Sequence, residues 1–249
     1  MFYIIQENLF REEHYDNLIE TLQKFKFDYE IVKFEQFEDH RVIRFNTDRK
    51  DVFCFGAVKM THIANQYGWV PGSMMNENHD YEVYSKGFGL ENMLNGDAKV
   101  INLKEPVPLD NYLFFARPCR DTKLFSGQVF TQESWKEMVE PLKTNEKVLV
   151  APIKETQQEV RCWVIDGKVV TASRYKLGRR VSYQNYDDES FFTDFAQKMV
   201  DKYQIAKAFV LDVCLSNDEL KIVEANCINC AGFYHANMHK LIEAIEYSF

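Results

Sequence analysis

The chain has no long apolar run, no surplus of positive charge and no glycine-rich phosphate motif. No stretch approaches the roughly 18 consecutive apolar residues of a membrane helix. The opening MFYIIQENLF has no basic start and too short an apolar run for a secretion signal, so a cytoplasmic location is expected. Lysine and arginine number 30 against 38 aspartates and glutamates, a formal net charge of −8. That balance gives no general drive toward nucleic acid or anionic membrane, and neither is expected as a partner. Only six cysteines are spread over 249 residues. Cys54, Cys162 and Cys214 lie in apolar, strand-like surroundings, which reads as buried reduced thiols rather than a disulfide framework. There is no internal repeat and no low-complexity linker. No Gly-x-Ser-x-Gly and no Walker-type phosphate loop occurs. Gly87-Phe88-Gly89 lacks the third glycine and the strand-turn-helix context of a dinucleotide site.

What is present supports a folded α+β protein. Hydrophobic residues make up 46%, with 20 phenylalanines and 13 tyrosines, enough volume for a sizeable core. The length suits one large domain or two small ones. Residues 1–75 alternate in the manner of a small α/β domain: strand MFYII, a helix over 11–25 with Tyr15, Leu18, Ile19, Leu22 and Phe25 on one stripe, strands FDYEIVKF and DVFCFG, then a helix opening at Gly56 and running to Tyr67. WVPGSMMNENHDY is expected to be a loop, and residues 80–110 carry no clear period.

A second domain, 76–249, is expected to be built of antiparallel hairpins backed by helices. NYLFFARP is a buried strand ended by Pro118. LFSGQVF suggests strand-turn-strand about Ser126-Gly127. A helix follows Thr131, a natural cap, with Glu133 at its positive end. KVLVAPI is a strand, and EVRCWVIDGKVVTASRYK is a hairpin turning at Asp166-Gly167. That turn sets Glu159 opposite Arg174, which suits a cross-strand ion pair, and Arg161 opposite Ala172, without a partner. A helix over DDESFFTDFAQKMVDKY is expected to bury Phe191, Phe192, Phe195, Met199 and Val200. A final helix spans about 237–247.

The last hairpin, AFVLDVCLSNDELKIVEAN, carries the chemistry. Alternation puts Leu211, Val213 and Leu215 on one face with Val223 and Ala225. Asp212 shares the other with Ile222, Glu224 and Asn226. A three-residue loop, 217–219, sets Asp212 opposite Glu224; a two-residue loop would send Glu224 to the opposite face. The first register is expected. Two carboxylates and an amide oxygen on a rigid sheet suit magnesium, which takes oxygen ligands, keeps several waters and shares substrate phosphates. Solvated strand acids are the plain alternative. Downstream, Cys227-x-x-Cys230 and His235-x-x-x-His239 have local zinc spacings, but four residues between the pairs are far fewer than a zinc finger needs.

VLDVCLSNDELKIVEAN resembles the last two strands of the ATP-grasp fold, in which an aspartate precedes a Glu-x-Asn pair. FFARP stands where that family has a phosphate-binding lysine followed by proline, with Arg117 in its place. KLFSGQVF resembles the following glycine-containing phosphate loop, and VLVAPIKETQQEVRCWVIDGKVV the adenine-side strand and the glutamate-containing hairpin. Arg117, followed by RDTK and EVR, resembles a clade of phage and bacterial ATP-grasp proteins named for one arginine and two lysines. The resemblance covers about residues 100–249; residues 1–75 resemble the small domain preceding the grasp. It implies an enzyme clasping ATP and Mg2+ between two α+β subdomains, with Asp212, Glu224 and Asn226 as metal ligands and Arg117 on the phosphates. It further implies Lys123 as one lysine (or a solvated side chain), with Lys104, Lys154 or Lys176 as the other. Glu159 matches a ribose position, Arg161 would hold a γ-phosphate or acyl-phosphate, and the Ala151 carbonyl and Ile153 N–H would form the adenine edge.

The expected reaction is ATP-dependent carboxylate–amine ligation through an acyl-phosphate, on small-molecule or peptide substrates. The alternatives are a phosphotransferase on the same fold, or a non-catalytic nucleotide- or zinc-binding module. Tyr234 and His235 are further expected to line the acceptor-substrate pocket.

Overall fold

The computed structural model describes residues 1–7, 15–34, 43–120, 122 and 124–249. Strands β1 (Phe2–Gln6), β2 (Asp28–Val32), β3 (Asp51–Phe55) and β4 (Val70–Gly72) form a parallel sheet in the order β2-β1-β3-β4. Helices α1 (Tyr15–Phe25) and α2 (Lys59–Tyr67) make its crossovers. This is the expected small α/β unit, with two corrections. Gly56 precedes the helix rather than opening it, and WVPGSMMNENHDY holds β4 and a 3-10 turn at Glu77–His79. The turn is fixed by Asn76, whose side chain accepts from Asn78 N–H. Residues 11–14 of the expected first helix lie outside the described residues.

The illegible stretch 80–110 contains helix α3 (Tyr81–Phe88), capped by Asp80, and strand β5 (Lys99–Asn102). Strands β6 (Leu113–Pro118), β7 (Gln128–Thr131) and β8 (Lys147–Ala151) join β5 in an antiparallel sheet ordered β5-β8-β6-β7. Leu124 and Phe125, expected in a strand, lie in the bend before β7. Helix α4 (Gln132–Val139) is capped by Thr131, which accepts from Ser134 N–H while Ser134 Oγ accepts from Thr131 N–H. Trp135 and Val139 of this helix seal the sheet's outer face with Phe114, Phe130 and Val148.

The third sheet, ordered β11-β10-β9-β12-β13, is antiparallel: β9 (Gln158–Ile165), β10 (Lys168–Leu177), β11 (Arg180–Asn185), β12 (Ala208–Ser216) and β13 (Glu219–Asn226). Helix α5 (Ser190–Lys202) covers one face, burying Phe192, Ala196, Met199 and Val200. Phe191, expected inside, is more than half exposed; one step from Phe192, it falls about 100° round the helix from it. Along the other face, β9 alternates Glu159, Arg161, Trp163 and Ile165. The last two pack with Val210, Ile228, Phe233 and helix α6 (Met238–Ser248) against Tyr3, Ile5, Phe53 and Phe55 of the N-terminal sheet. The first two are left at the open end of that face, where the four-stranded sheet closes over them. All six cysteines are free thiols, five of them buried.

Candidate active site

The register of β12 and β13 brings the acidic pair together, but by a different route from the one expected. The turn has two residues, Asn217 and Asp218, both with positive φ (49° and 62°), and Ser216 pairs with Glu219. That turn alone would send Glu224 away from Asp212. A bulge restores the pairing: Val213 pairs with Ile222 and Asp212 with Glu224, leaving Val223 as the extra residue. The bulge also exchanges two faces. Ile222 joins Leu211, Val213 and Ala225 in the core, whereas Val223 lines the cleft beside Glu224.

Asp212 is 1% exposed and accepts two 2.8 Å hydrogen bonds from Arg161, at Nε and at NH2. Arg161 therefore has the partner that simple alternation denied it. Bulges in β10 also change its cross-strand neighbour to Ser173 and that of Glu159 to Lys176. Glu159 accordingly pairs with Lys176 and accepts from Thr156 Oγ1 at 2.6 Å, while Arg174 turns to Tyr186 and Ser182. Burial pushes the Asp212 carboxyl up to about 6 against the pull of Arg161. The Arg161 guanidinium lies 4.9 Å from the ring centroid of Tyr234 and 5.8 Å from that of Tyr175. Tyr175, Tyr234 and Tyr183 stack at 5.1 and 5.2 Å.

Arg117, at the end of β6, faces this sheet from the other. Its NH1 lies 3.3 Å from Glu224 Oε2, and its NH2 donates to the hydroxyl of Tyr84. Tyr81 and Tyr84 of α3 hold it from behind, the former with its ring centroid 5.9 Å away. Neither tyrosine was legible as a site residue, because α3 lay in the stretch without a period. Asn226 Nδ2 donates to Glu224 Oε1 at 2.8 Å. A Cβ at Gly127 would come within 2.9 Å of Phe115 and 3.3 Å of the Arg117 Cβ, so only glycine lets the loop pass this close.

The cleft has two chambers that share Arg117, Gly127 and Glu224. One, about 450 Å³, is lined by Ile153, Lys154, Thr156, Glu159 and Lys176. The other, about 360 Å³, is lined by Arg120, Ser126, Arg161, Asn226, Gly232 and Tyr234. Of the candidate lysines, Lys154 and Lys176 reach the first chamber. Lys104 lines a groove beside Trp135 instead, and Lys123 lies outside the described residues. Ala151 is fully buried on β8, two residues before Ile153. Tyr234 lines the second chamber, and His235 contributes its ring to the Tyr183 contact.

The donor set fits magnesium: Asp212, Glu224 and Asn226 supply carboxylate and amide oxygens from adjacent strands. It does not fit zinc. Among the described residues, no three His, Cys, Asp or Glu side chains are placed to hold a metal ion together. Cys227 donates its thiol to Asn229, and His239 packs on Phe25 at 5.2 Å.

Two antiparallel α+β layers closing on a cleft, with an arginine at one strand end facing an Asp and Glu-x-Asn hairpin, constitute the ATP-grasp fold. The chain belongs to an ATP-grasp domain family, the third of the clade named for one arginine and two lysines, whose profile matches residues 56–245. Solved structures of similar fold include D-alanine–D-alanine ligase from Bacillus anthracis complexed with ATP, at 16% identity and a TM-score of 0.66, covering 99% of this chain and 96% of that one. D-cycloserine synthetase DcsG is similar at 10% identity and a TM-score of 0.63, covering 99% and 98%. The ATP-grasp ligase PsnB, complexed with precursor peptide PsnA2 and AMPPNP, is similar at 12% identity and a TM-score of 0.54, covering 99% and 96%. No curated protein sequence matches the chain.

Proposed function

We propose that the protein is an ATP-dependent carboxylate–amine ligase working through an acyl-phosphate. The nucleotide occupies the chamber of Ile153, Lys154, Glu159 and Lys176. Pro152 has no N–H, so the Ala151 carbonyl and the Ile153 N–H take the adenine edge, and Glu159 takes the ribose. Arg117 receives phosphate oxygens at the boundary of the two chambers, its planar fork suiting two at once. Lys123 is proposed as a further phosphate contact. Asp212, Glu224 and Asn226 would hold magnesium, which neutralises phosphate charge when bound.

A substrate carboxylate oxygen bonds to the γ-phosphorus as the bond to the ADP oxygen breaks. The amine nitrogen then attacks the acyl carbon, inorganic phosphate leaves with the bonding pair, and the nitrogen loses a proton. Arg161, at the wall of the second chamber, stabilises the charge of the acyl-phosphate. In the structure the two arginines are neutralised by the carboxylates assigned to the metal, Arg117 by Glu224 and Arg161 by Asp212. Nucleotide binding takes Arg117 from Glu224, while Asp212 keeps Arg161 and would meet magnesium through its remaining lone pairs. The side chains act by holding reactants in line and by charge stabilisation, so no protein nucleophile is required.

The observation that carries this reading is the convergence of Arg117 and Glu224 across two sheets at the junction of two chambers. Glu224→Gln is expected to lower magnesium-dependent ADP release by on the order of 100-fold or more. Unchanged activity would remove the assignment. Release of ADP that requires both a carboxylate and an amine supports ligation; a stable phosphorylated product without amine would make the protein a phosphotransferase.

A further inference from the structure

The second chamber gathers more guanidinium donors than one carboxylate substrate needs. Among the described residues its lining holds three guanidinium groups, Arg117, Arg120 and Arg161, against one carboxylate, Glu224. Each has a carboxylate partner, Arg117 in Glu224, Arg120 in Asp80 and Arg161 in Asp212, so what the chamber offers an occupant is their unspent N–H groups. Arg117 stands at the wall shared with the nucleotide chamber and is committed to that boundary. Of the two chambers, Arg161 and Arg120 line only the second, and Arg120 also borders an outer groove beside Asp80, Glu82 and Glu146.

Arg161 is fixed in place. Two of its five N–H groups go to Asp212, and NH1 donates to the Gly232 carbonyl at 3.3 Å. Two N–H groups remain for an occupant, on a guanidinium whose face is covered by tyrosine rings. Its orientation is settled before any ligand arrives, so little ordering cost remains at binding. Arg120 gives its Nε–H to Asp80 at 2.7 Å while its side chain stays 70% exposed. The η nitrogens of Arg120 are thus available at the mouth. The remaining wall joins polar Ser126 and Asn226 and the bare backbone at Gly127 and Gly232 to apolar Pro118 and Phe125. A volume of about 360 Å³ is at the small end for ligand sites.

We propose that this chamber selects a small dicarboxylic acid, such as a four- or five-carbon diacid or acidic amino acid. One carboxylate lies at the Arg117 boundary and takes one spare N–H of Arg161, and the second takes the other spare N–H and the η nitrogens of Arg120. This rests on the ligase reading for which carboxylate is activated, but the selection itself is a property of binding. Arg120 is the specificity-determining residue, and Asp212 positions Arg161.

Calorimetry on the full chain, with AMPPNP and magnesium present, tests it. Succinate, glutarate and glutamate are expected to bind at least about tenfold more tightly than butyrate or alanine, the scale of one charge-assisted hydrogen bond. Arg120→Gln is expected to erase most of that preference by weakening the diacids alone, with AMPPNP affinity and melting temperature retained. Equal affinity for mono- and dicarboxylates, tighter binding of monocarboxylates, or a diacid preference untouched by Arg120→Gln would overturn the proposal. The two readings fail separately. Diacid-selective binding without amine-dependent ADP release refutes the ligase and leaves the selectivity standing. Ligation of monocarboxylates at equal efficiency refutes the selectivity and leaves the ligase.

Discussion

Asp187 shows how single residues stiffen the site from outside it. Its carboxylate accepts from Thr171 Oγ1 at 2.7 Å, Ala172 N–H at 2.9 Å and Lys240 Nζ at 2.7 Å, tying β10 to α6. Burial opposes the charge, but the bonds from Lys240, Ala172 and Thr171 outweigh it and hold the pKa below the usual carboxylate value. A depressed folded pKa means stability that is present at neutral pH and lost as pH falls through that pKa. Asp187→Asn is therefore expected to destabilise at pH 7, and its gap from the parent to shrink below about pH 4, as read by urea midpoints across pH. At this scale the sequence was most legible in singling out Arg117, Glu224 and Asn226, which meet at one chamber. It was least legible for partners. Arg161 was read as unpaired because its partner lies on β12, on the other side of β9, and Glu159 was matched to Arg174 because bulges in β10 are invisible to simple counting. Tyr84 and Tyr81 carry no motif at all.

Among elements, the β12–β13 hairpin separates what pattern fixes from what geometry fixes. Period-two alternation identified both strands, and Asn217-Asp218 identified the turn. The loop length inferred from the need to pair two carboxylates was wrong, because a bulge at Val223 supplies the same correction inside the strand. Helix α3 makes the complementary point: eight residues, one of them Gly87, are too few for a persuasive apolar stripe. The glycine is there for contact. A Cβ would meet the Tyr203 ring at 2.5 Å, where α3 passes the end of α5. Gly87→Ala, though better for helix propensity, is expected to cost about 1–3 kcal/mol by overpacking. Because α3 carries Tyr81 and Tyr84, the same change is expected to raise the KM for ATP. A stabilised variant would show that Tyr203 moves aside freely.

For the whole molecule, the expected boundary near residue 75 divides topology but not the core. Tyr3, Phe53 and Phe55 share one apolar cluster with Trp163, Val210 and α6. The junction is fastened by Asn229, 2% exposed. It donates to the carbonyls of Cys54 at 2.6 Å and Gly72 at 3.2 Å and accepts from Met74 N–H at 2.6 Å, while its own carbonyl accepts from Gly56 N–H. Asn229→Ala leaves those buried groups unpaired and is expected to cost about 2–5 kcal/mol while keeping one cooperative unfolding transition. Two resolved transitions would mean that the units fold separately. The Cys-x-x-Cys frame drew notice to this loop, yet its central polar residue is the one with the structural task. Asn229 opens the segment running through Ala231, Gly232 and Tyr234, which floors the second chamber. A recombination event joining the N-terminal unit of one relative to the remainder of another would leave that floor resting on a foreign sheet. Exchanging the N-terminal unit alone is therefore expected to disturb the chamber it never touches directly.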